Sequence, residues 1–466
     1  MARRVWSEGQ LNGGSLATRT GPTPGPPPPD ARSRIGFFGA VSIGVGGMIG
    51  AGIFAILGVV TEVSGTALPI SFAVGGFVAL LAAYSYVKLG VRYPTVGGSV
   101  EYLVRGYGDG LIAGSVNTFQ YLAYVIAIAL YAKGFGGYAA TFLPADAAAW
   151  SESAFAVGVV AGFCALNFLG TAIMGRAETL IVGIKVGILV VFIVAAMFTL
   201  DVSRLAPSGW ANPADILFGA GILFIGYEGF GLVCNAAGAM ANPRRMLPAA
   251  LYTAVGVVIA IYLLVAVGVI GNVSTAEMVQ ARDFALAQAA RPVLGAFGFK
   301  MVAVAALLST ASAVNATLFG SANVAYQVAL DGELPQPFQR RLWVDNGVGL
   351  LVTAGLVIAA LLAFDLGPIA MMGSAAFLVV YIVVGVGHLR IIGETGARRS
   401  VVAASILSCA AMLVALCFKM VSAAPPAASV TLAGAAAASL IIEASYRKAT
   451  GRKLTLTARP SPKTRA

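Results

Sequence analysis

Long, mostly apolar stretches dominate this chain. Twelve of them follow one another, at 36–62, 67–90, 110–142, 154–170, 177–200, 213–234, 247–271, 292–327, 346–364, 367–391, 399–421 and 427–446. A helix that crosses a bilayer needs about 20 such residues. Hydrocarbon offers a backbone no hydrogen-bond partners, so each stretch is expected to be an α-helix that satisfies itself. The loops between stretches are short and leave no room for a separate soluble domain. Only 11% of the residues are charged, and 59% are hydrophobic; a soluble domain carries about 25% charged residues. That excludes a soluble enzyme, a nucleic-acid-binding domain and a disordered chain. The expected fold is an all-α integral membrane protein with 12 transmembrane helices.

The net charge of +11 must be located before it is read. An even number of spans puts both termini on one side of the membrane. Of the 30 Lys and Arg residues, 23 fall in the tails and loops of that side, 6 fall on the other, and Lys185 lies inside a stretch. Positive loops stay inside, so both termini are expected in the cytoplasm, with the protein in the plasma (cell inner) membrane. The basic excess marks topology and not a nucleic-acid partner. Residues 1–34, with the run Gly25-Pro26-Pro27-Pro28-Pro29, read as a disordered basic tail, and 447–466 as a second basic tail.

Within the first stretch, five glycines crowd into nine residues, Gly44 to Gly52. Each costs a helix about 1 kcal/mol relative to Ala. The sixth stretch carries a second cluster, Gly226-Tyr227-Glu228-Gly229-Phe230-Gly231. These positions correspond if stretches one to five (35–200) and six to ten (201–391) are two repeats, with 392–446 holding the last two helices. Five is odd, so the second repeat is inverted. Gly-interrupted spans at matching places point to a transporter binding site. Free N–H groups at a half-helix N-terminus suit a carboxylate, and free C=O groups suit an ammonium. The competing reading is glycine used for close helix packing.

Two ionisable residues lie deep in the stretches, Lys185 and Glu228, and such groups are functional candidates by default. Lys185 sits ~12 Å along the fifth helix from its start, too deep to snorkel easily. A lysine removed from water can release its proton and alternate between ammonium and amine; a fixed structural cation is the alternative. Glu228 could bind a cationic substrate group, pair with Lys185, carry a proton or cap the break. Ser309 and Ser312, one turn apart in the eighth stretch, could hold a small cation or an ammonium, or bond back to their own helix. Cys164, Cys234, Cys409 and Cys417 are scattered through apolar segments, which is no disulfide or metal pattern. The single histidine, His388, cannot build a zinc site. A membrane-embedded enzyme would want clusters of His, Asp or Glu, and none is apparent.

These residues carry a resemblance. Ile49-Gly50-Ala51-Gly52-Ile53-Phe54, Tyr93-Pro94-Thr95-Val96-Gly97-Gly98-Ser99-Val100-Glu101-Tyr102 and Asn242-Pro243-Arg244-Arg245-Met246-Leu247-Pro248 resemble signatures of the amino acid-polyamine-organocation (APC) superfamily, along nearly all of 36–446. The second of them is also unlike the basic, Gly- and Asp-containing loop that a major facilitator transporter would carry. Gly175-Arg176-Ala177-Glu178 before Lys185, Asn315-Ala316-Thr317, Ala322-Asn323-Val324-Ala325-Tyr326 and Asp331-Gly332-Glu333-Leu334-Pro335 are most similar to an archaeal member. That member is proton-coupled, sodium-independent and broad in amino acid specificity.

The resemblance implies five-helix inverted repeats of the sodium-leucine-symporter type. It implies import of amino acids by proton symport, with the proton as coupling ion, no sodium and no cofactor. The partners expected are an amino acid and the lipid bilayer. Lys185 would stand where relatives hold sodium, with Ser309 or Ser312 beside it. The substrate site would comprise Met48, Ile49, Gly50, Ala51, Gly52, Ile225, Glu228, Gly229 and Phe230. In it, the N–H groups of Ala51 and Gly52 would hold the carboxylate, and the C=O groups of Met48, Ile225 and Glu228 the amino group. Phe230 would be a hydrophobic gate, and Gln120, Tyr124 and Ser374 would tune specificity. The chain departs from its relatives at Glu228, where they carry an uncharged residue. That leaves open an exchanger, or a cationic amino acid or polyamine permease, using Glu228.

Overall fold

The structure, a computed structural model, describes residues 35–95, 97–144, 150–169, 174–330, 347–422, 426–451 and 454–457. The N-terminal tail, Val96, the Asp331–Pro335 motif and the last residues of the C-terminal tail lie outside them. Among the described residues the fold is helical, with two isolated bridges, Ile35 to Met240 and Gly65 to Trp210, as the extended pairings. Among the described residues, ten helices are long and apolar enough to cross a membrane. A further pair, Pro213–Gly226 and Glu228–Ala239, is bent by 40° and makes the sixth span, and the shorter Val348–Ala363 matches the ninth stretch. The chain is a multi-pass membrane protein.

Local chemistry sets the ends. Asn212 accepts the amide of Asp215 at 2.9 Å and, with Pro213 behind it, starts the sixth span. Pro69 opens the second span, Leu68–Arg92, which ends just before Pro94, as the restricted residue before a proline requires. Ser274 and Glu277 form a capping box on the short helix Thr275–Ala281. The eighth stretch differs from expectation. Its helical run, Ala285–Leu330, is broken at Gly295, at φ 67°. A left-handed residue there is open to glycine at no steric cost.

The third span, Leu111–Ala140, and the tenth, Leu366–Arg390, form the centre: 72% and 78% of their apolar windows are buried, against 17% for the twelfth, Pro426–Ala449. The eleventh, Arg399–Ser422, turns Leu407, Val414, Phe418 and Val421 outward, where lipid meets them without penalty. Tyr93 ties the end of the second span to the segment after the tenth, donating to the Glu394 carboxylate at 2.6 Å. Burial, aided by that bond, pushes the phenol up to about 12, so it remains a donor at physiological pH.

The twelfth span continues to Ala449, so Arg447 and Lys448 belong to a helix and not to a tail. Arg447 is buried, bonded to the Glu443 carboxylate, to the Asp109 carboxylate at 2.8 Å and to the Gly110 carbonyl at 3.2 Å. Just beyond, the carbonyls of Thr455 and Leu456 accept the Leu111 and Ile112 amides at 2.9 and 3.3 Å. A helix N-terminus leaves such amides without partners; here a late segment of the chain supplies them.

Candidate functional site

Both glycine clusters interrupt their helices. The first span runs as Phe37–Met48, Ala51–Phe54 and Leu57–Ser64, leaving helical geometry at Ile49 (φ −78°, ψ 70°) and Gly50 (φ −111°, ψ −133°). The sixth runs as Pro213–Leu223, two 3-10 turns at Phe224–Gly226 and Glu228–Phe230, and Gly231–Asn235.

The two breaks pack backbone to backbone. A Cβ on Gly52 would lie 2.4 Å from the Cα of Gly226, and one on Gly229 would lie 2.2 Å from the carbonyl carbon of Gly47. No other residue fits at either crossing. The packing reading of the glycines therefore also holds: Gly44 and Gly47 stay helical and make room for Val233 and Leu232. One cluster does both jobs, interruption and close approach.

Carbonyls freed at a break inside a membrane need donors. At the first break Lys185, fully buried, places Nζ 2.9 Å from the Gly46 carbonyl and 2.5 Å from that of Ile49. Ser309 donates to the same Ile49 carbonyl at 2.7 Å. Lys185 and Ser309 thus meet on one atom, and Ser312 lies buried one turn along. At the sixth break Ser374 donates to the Ile222 carbonyl at 2.8 Å and accepts the Ile225 amide at 3.0 Å. Tyr381 donates to the Glu228 carbonyl at 3.0 Å. The Tyr262 hydroxyl lies between the breaks, 2.6 Å from the Met48 carbonyl and 3.2 Å from that of Gly226. Met48 and Glu228, expected to offer carbonyls to a substrate, already accept two bonds each: Met48 from Tyr262 and from the Gly50 amide at 2.8 Å, Glu228 from Tyr381 and from the Gly231 amide.

Met48, Ile49, Gly50, Ala51, Gly52, Ile225, Glu228, Gly229 and Phe230 are all buried at this crossing. Phe230 stacks on Tyr381 (centroids 5.2 Å apart) and meets Tyr86 edge-on at 5.5 Å. Gln120 donates to Ser99 at 2.6 Å and to the Tyr124 hydroxyl at 3.2 Å. Ser374, expected to tune specificity, bonds to the main chain on both sides of the sixth break. A cavity of about 1020 Å³ is lined by Ile222, Met371, Lys133, Glu152, Asp283 and Asp365, among others.

The motifs behind the resemblance hold the frame. Asn315 accepts from Asn167 at 2.9 Å, joining the eighth and fourth spans. Gly98, at φ 51°, lies against the Asn235 side chain at the end of the sixth. Gly175–Glu178 fall in the helix Met174–Phe198.

Sequence reasoning missed Tyr262, Tyr381 and Tyr131. Tyrosine among apolar residues gives no periodic signal of where its hydroxyl points. It also missed the buried Glu443 and Arg447, whose i, i+4 spacing was a readable sign of pairing. His388 is buried, with Nε2 2.8 Å from Thr395 Oγ1. Among the described residues no group of three His, Cys, Asp or Glu is placed to hold a metal.

Two helices broken at mid-span and crossed at their breaks define a membrane transporter. Residues 35–440 match the family of amino acid permeases, and the chain belongs to that family, within the APC superfamily. It is 35% identical over 360 residues to the inner membrane transport protein YbaT of Escherichia coli, covering 77% of this chain and 83% of that one. It is 39% identical to an uncharacterized protein of Methanocaldococcus jannaschii, covering 80% and 86%. It is 28% identical to the serine/threonine exchanger SteT of Bacillus subtilis, covering 65% and 70%. The protein is thus an amino acid transporter and not an enzyme.

Proposed function

We propose that this transporter imports amino acids by proton symport, with Lys185 as the proton-carrying group and no sodium. The observation that supports it is the Lys185 ammonium on the Gly46 and Ile49 carbonyls, where a metal cation would otherwise bridge the first break. Charge-assisted bonds of this kind are roughly twice as strong as neutral ones. Loss of the proton loosens the grip on the break, and regaining it restores the grip. Ser309 keeps Ile49 aimed at Nζ throughout, with Ser312 beside it.

The substrate zwitterion lies at the crossing. Its carboxylate faces the Ala51 and Gly52 amides, and its amino group faces the Met48, Ile225 and Glu228 carbonyls, taking the place of donors within the protein at Met48 and Glu228. Ile49, Gly50 and Gly229 shape the backbone around it, and Phe230 closes over it. Spans one to five and six to ten act as inverted repeats. Both termini are cytoplasmic in the cell's inner membrane, which makes the 1020 Å³ cavity the outer vestibule.

The test is uptake of a labelled amino acid into proteoliposomes. Uptake is expected to follow an inward pH gradient and to ignore a sodium gradient; the reverse sinks the coupling assignment. Exchange is the competing mode. Uptake that occurs only into vesicles preloaded with amino acid, at any pH gradient, establishes it instead.

A further inference from the structure

Glu228 is 5% exposed, and among the described residues its carboxylate takes part in no hydrogen bond or ion pair. The tie from Tyr381 reaches its main-chain carbonyl only. Lys185 does not serve it, being committed to the first break. A carboxylate buried without a partner is costly, and a cation in contact with it removes the cost. The surroundings are built for one. The hydroxyls of Tyr86, Tyr124, Tyr131 and Tyr381 lie within electrostatic reach of the carboxyl. Tyr131 also borders the first break, its ring 3.7 Å from where a Cβ on Gly50 would stand. The Tyr131 hydroxyl has no hydrogen bond among the described residues, and Tyr124 accepts one from Gln120. Both therefore keep lone pairs to offer. The packed rings of Tyr86, Phe230 and Tyr381 add π-faces that attract a cation.

We infer that Glu228 is the counter-ion for a second ammonium on the substrate, and that the class preferred is amino acids with an amine-bearing side chain, of the lysine or ornithine type. An ammonium has three donors, which match a Glu228 oxygen and the hydroxyls of Tyr124 and Tyr131. The inference rests on the reading above, in which the α-carboxylate and α-amino group lie on the main chain of the two breaks. The Glu228 carboxylate then reads only the substrate side chain, while its main-chain carbonyl serves the common part.

The experiment is competition against labelled alanine and labelled lysine in proteoliposomes. Lysine and ornithine are expected to compete at least about tenfold better than alanine or leucine, the scale set by a buried polar group left unpaired by the wrong substrate. Putrescine, which lacks the α-carboxylate, is expected to compete about tenfold less well than ornithine. Glu228→Gln is expected to lose the lysine preference, read as the ratio of competition by lysine to competition by alanine. Tyr131→Phe, which keeps the ring and the packing, is expected to weaken lysine selectively by a few-fold. Equal competition by lysine and alanine in the wild type, or a lysine preference that survives Glu228→Gln, overturns the inference. If Glu228→Gln does not fold, an unchanged lysine preference in Tyr131→Phe overturns it. Putrescine competing as well as ornithine overturns the amino acid part of the class. If no amino acid of either kind is carried, the transport reading itself fails, which is a separate result.

Discussion

The two breaks cross back to back, yet they are held by different chemistry. The first is held by a charge: Lys185 reaches two of its carbonyls, and Ser309 shares one of them. The second is held by neutral hydroxyls, from Ser374 and Tyr381 of the tenth span. A charged holder changes its grip with one proton; aliphatic and phenolic hydroxyls keep theirs near neutral pH. On the proposed coupling, the contrast separates an adjustable half of the site from a fixed frame. It also shows why matching glycine clusters need not have matching roles.

The largest effect is expected from joining what both breaks share. Gly52→Ala places a methyl 2.4 Å from Gly226 Cα, and neither backbone can yield without separating the spans. Little monodisperse protein should be recovered by size-exclusion chromatography. Gly256→Ala, in the seventh span with nothing within 4 Å of the new Cβ, should be recovered normally and be at least as stable, since Ala favours a helix by about 1 kcal/mol over Gly. Next comes the charged half. Lys185→Ala should abolish the response of uptake to a pH gradient, a loss of about tenfold or more in driven uptake. A variant that still follows the gradient would take the lysine out of the mechanism.

The neutral half should respond differently. Ser374→Ala strands the Ile225 amide, at a cost of about 1–3 kcal/mol. It should appear as a lower melting temperature and slower uptake, with the pH-gradient response intact. Loss of that response in Ser374→Ala would erase the distinction between the halves. Smallest is Tyr381→Phe, which keeps the ring stack on Phe230 and removes one bond to the Glu228 carbonyl, worth about 1 kcal/mol. A few-fold rise in KM with little change in melting temperature is expected.

Much of the architecture was readable because a bilayer imposes a length and a composition on every helix that crosses it. Both breaks were readable because glycine is expensive in a helix and therefore conspicuous when it clusters. The positions of Lys185 and Ser309 were readable, but their meeting on the Ile49 carbonyl was not, because sequence spacing does not fix how two helices are rotated. For the same reason the bonds of Ser374 to the sixth break were not readable. Gly295 passed unnoticed inside an apolar run, since a single glycine carries no pattern. Arg447 and Glu443 were hidden by their place near a chain end, where charge is usually solvated.

The carbonyls of Thr455 and Leu456 on the first amides of the third span have a consequence for how the protein is made. The third span is among the most enclosed helices, and it is inserted early in synthesis. Its first turn nevertheless waits for residues translated after all twelve spans. Until they arrive, unpaired amides remain at its start, and the Asp109 and Gly110 partners of Arg447 are also unmet. Assembly thus closes from the last segment back onto the centre, and a ribosome that stops short leaves a protein whose incompleteness is exposed at its core helix.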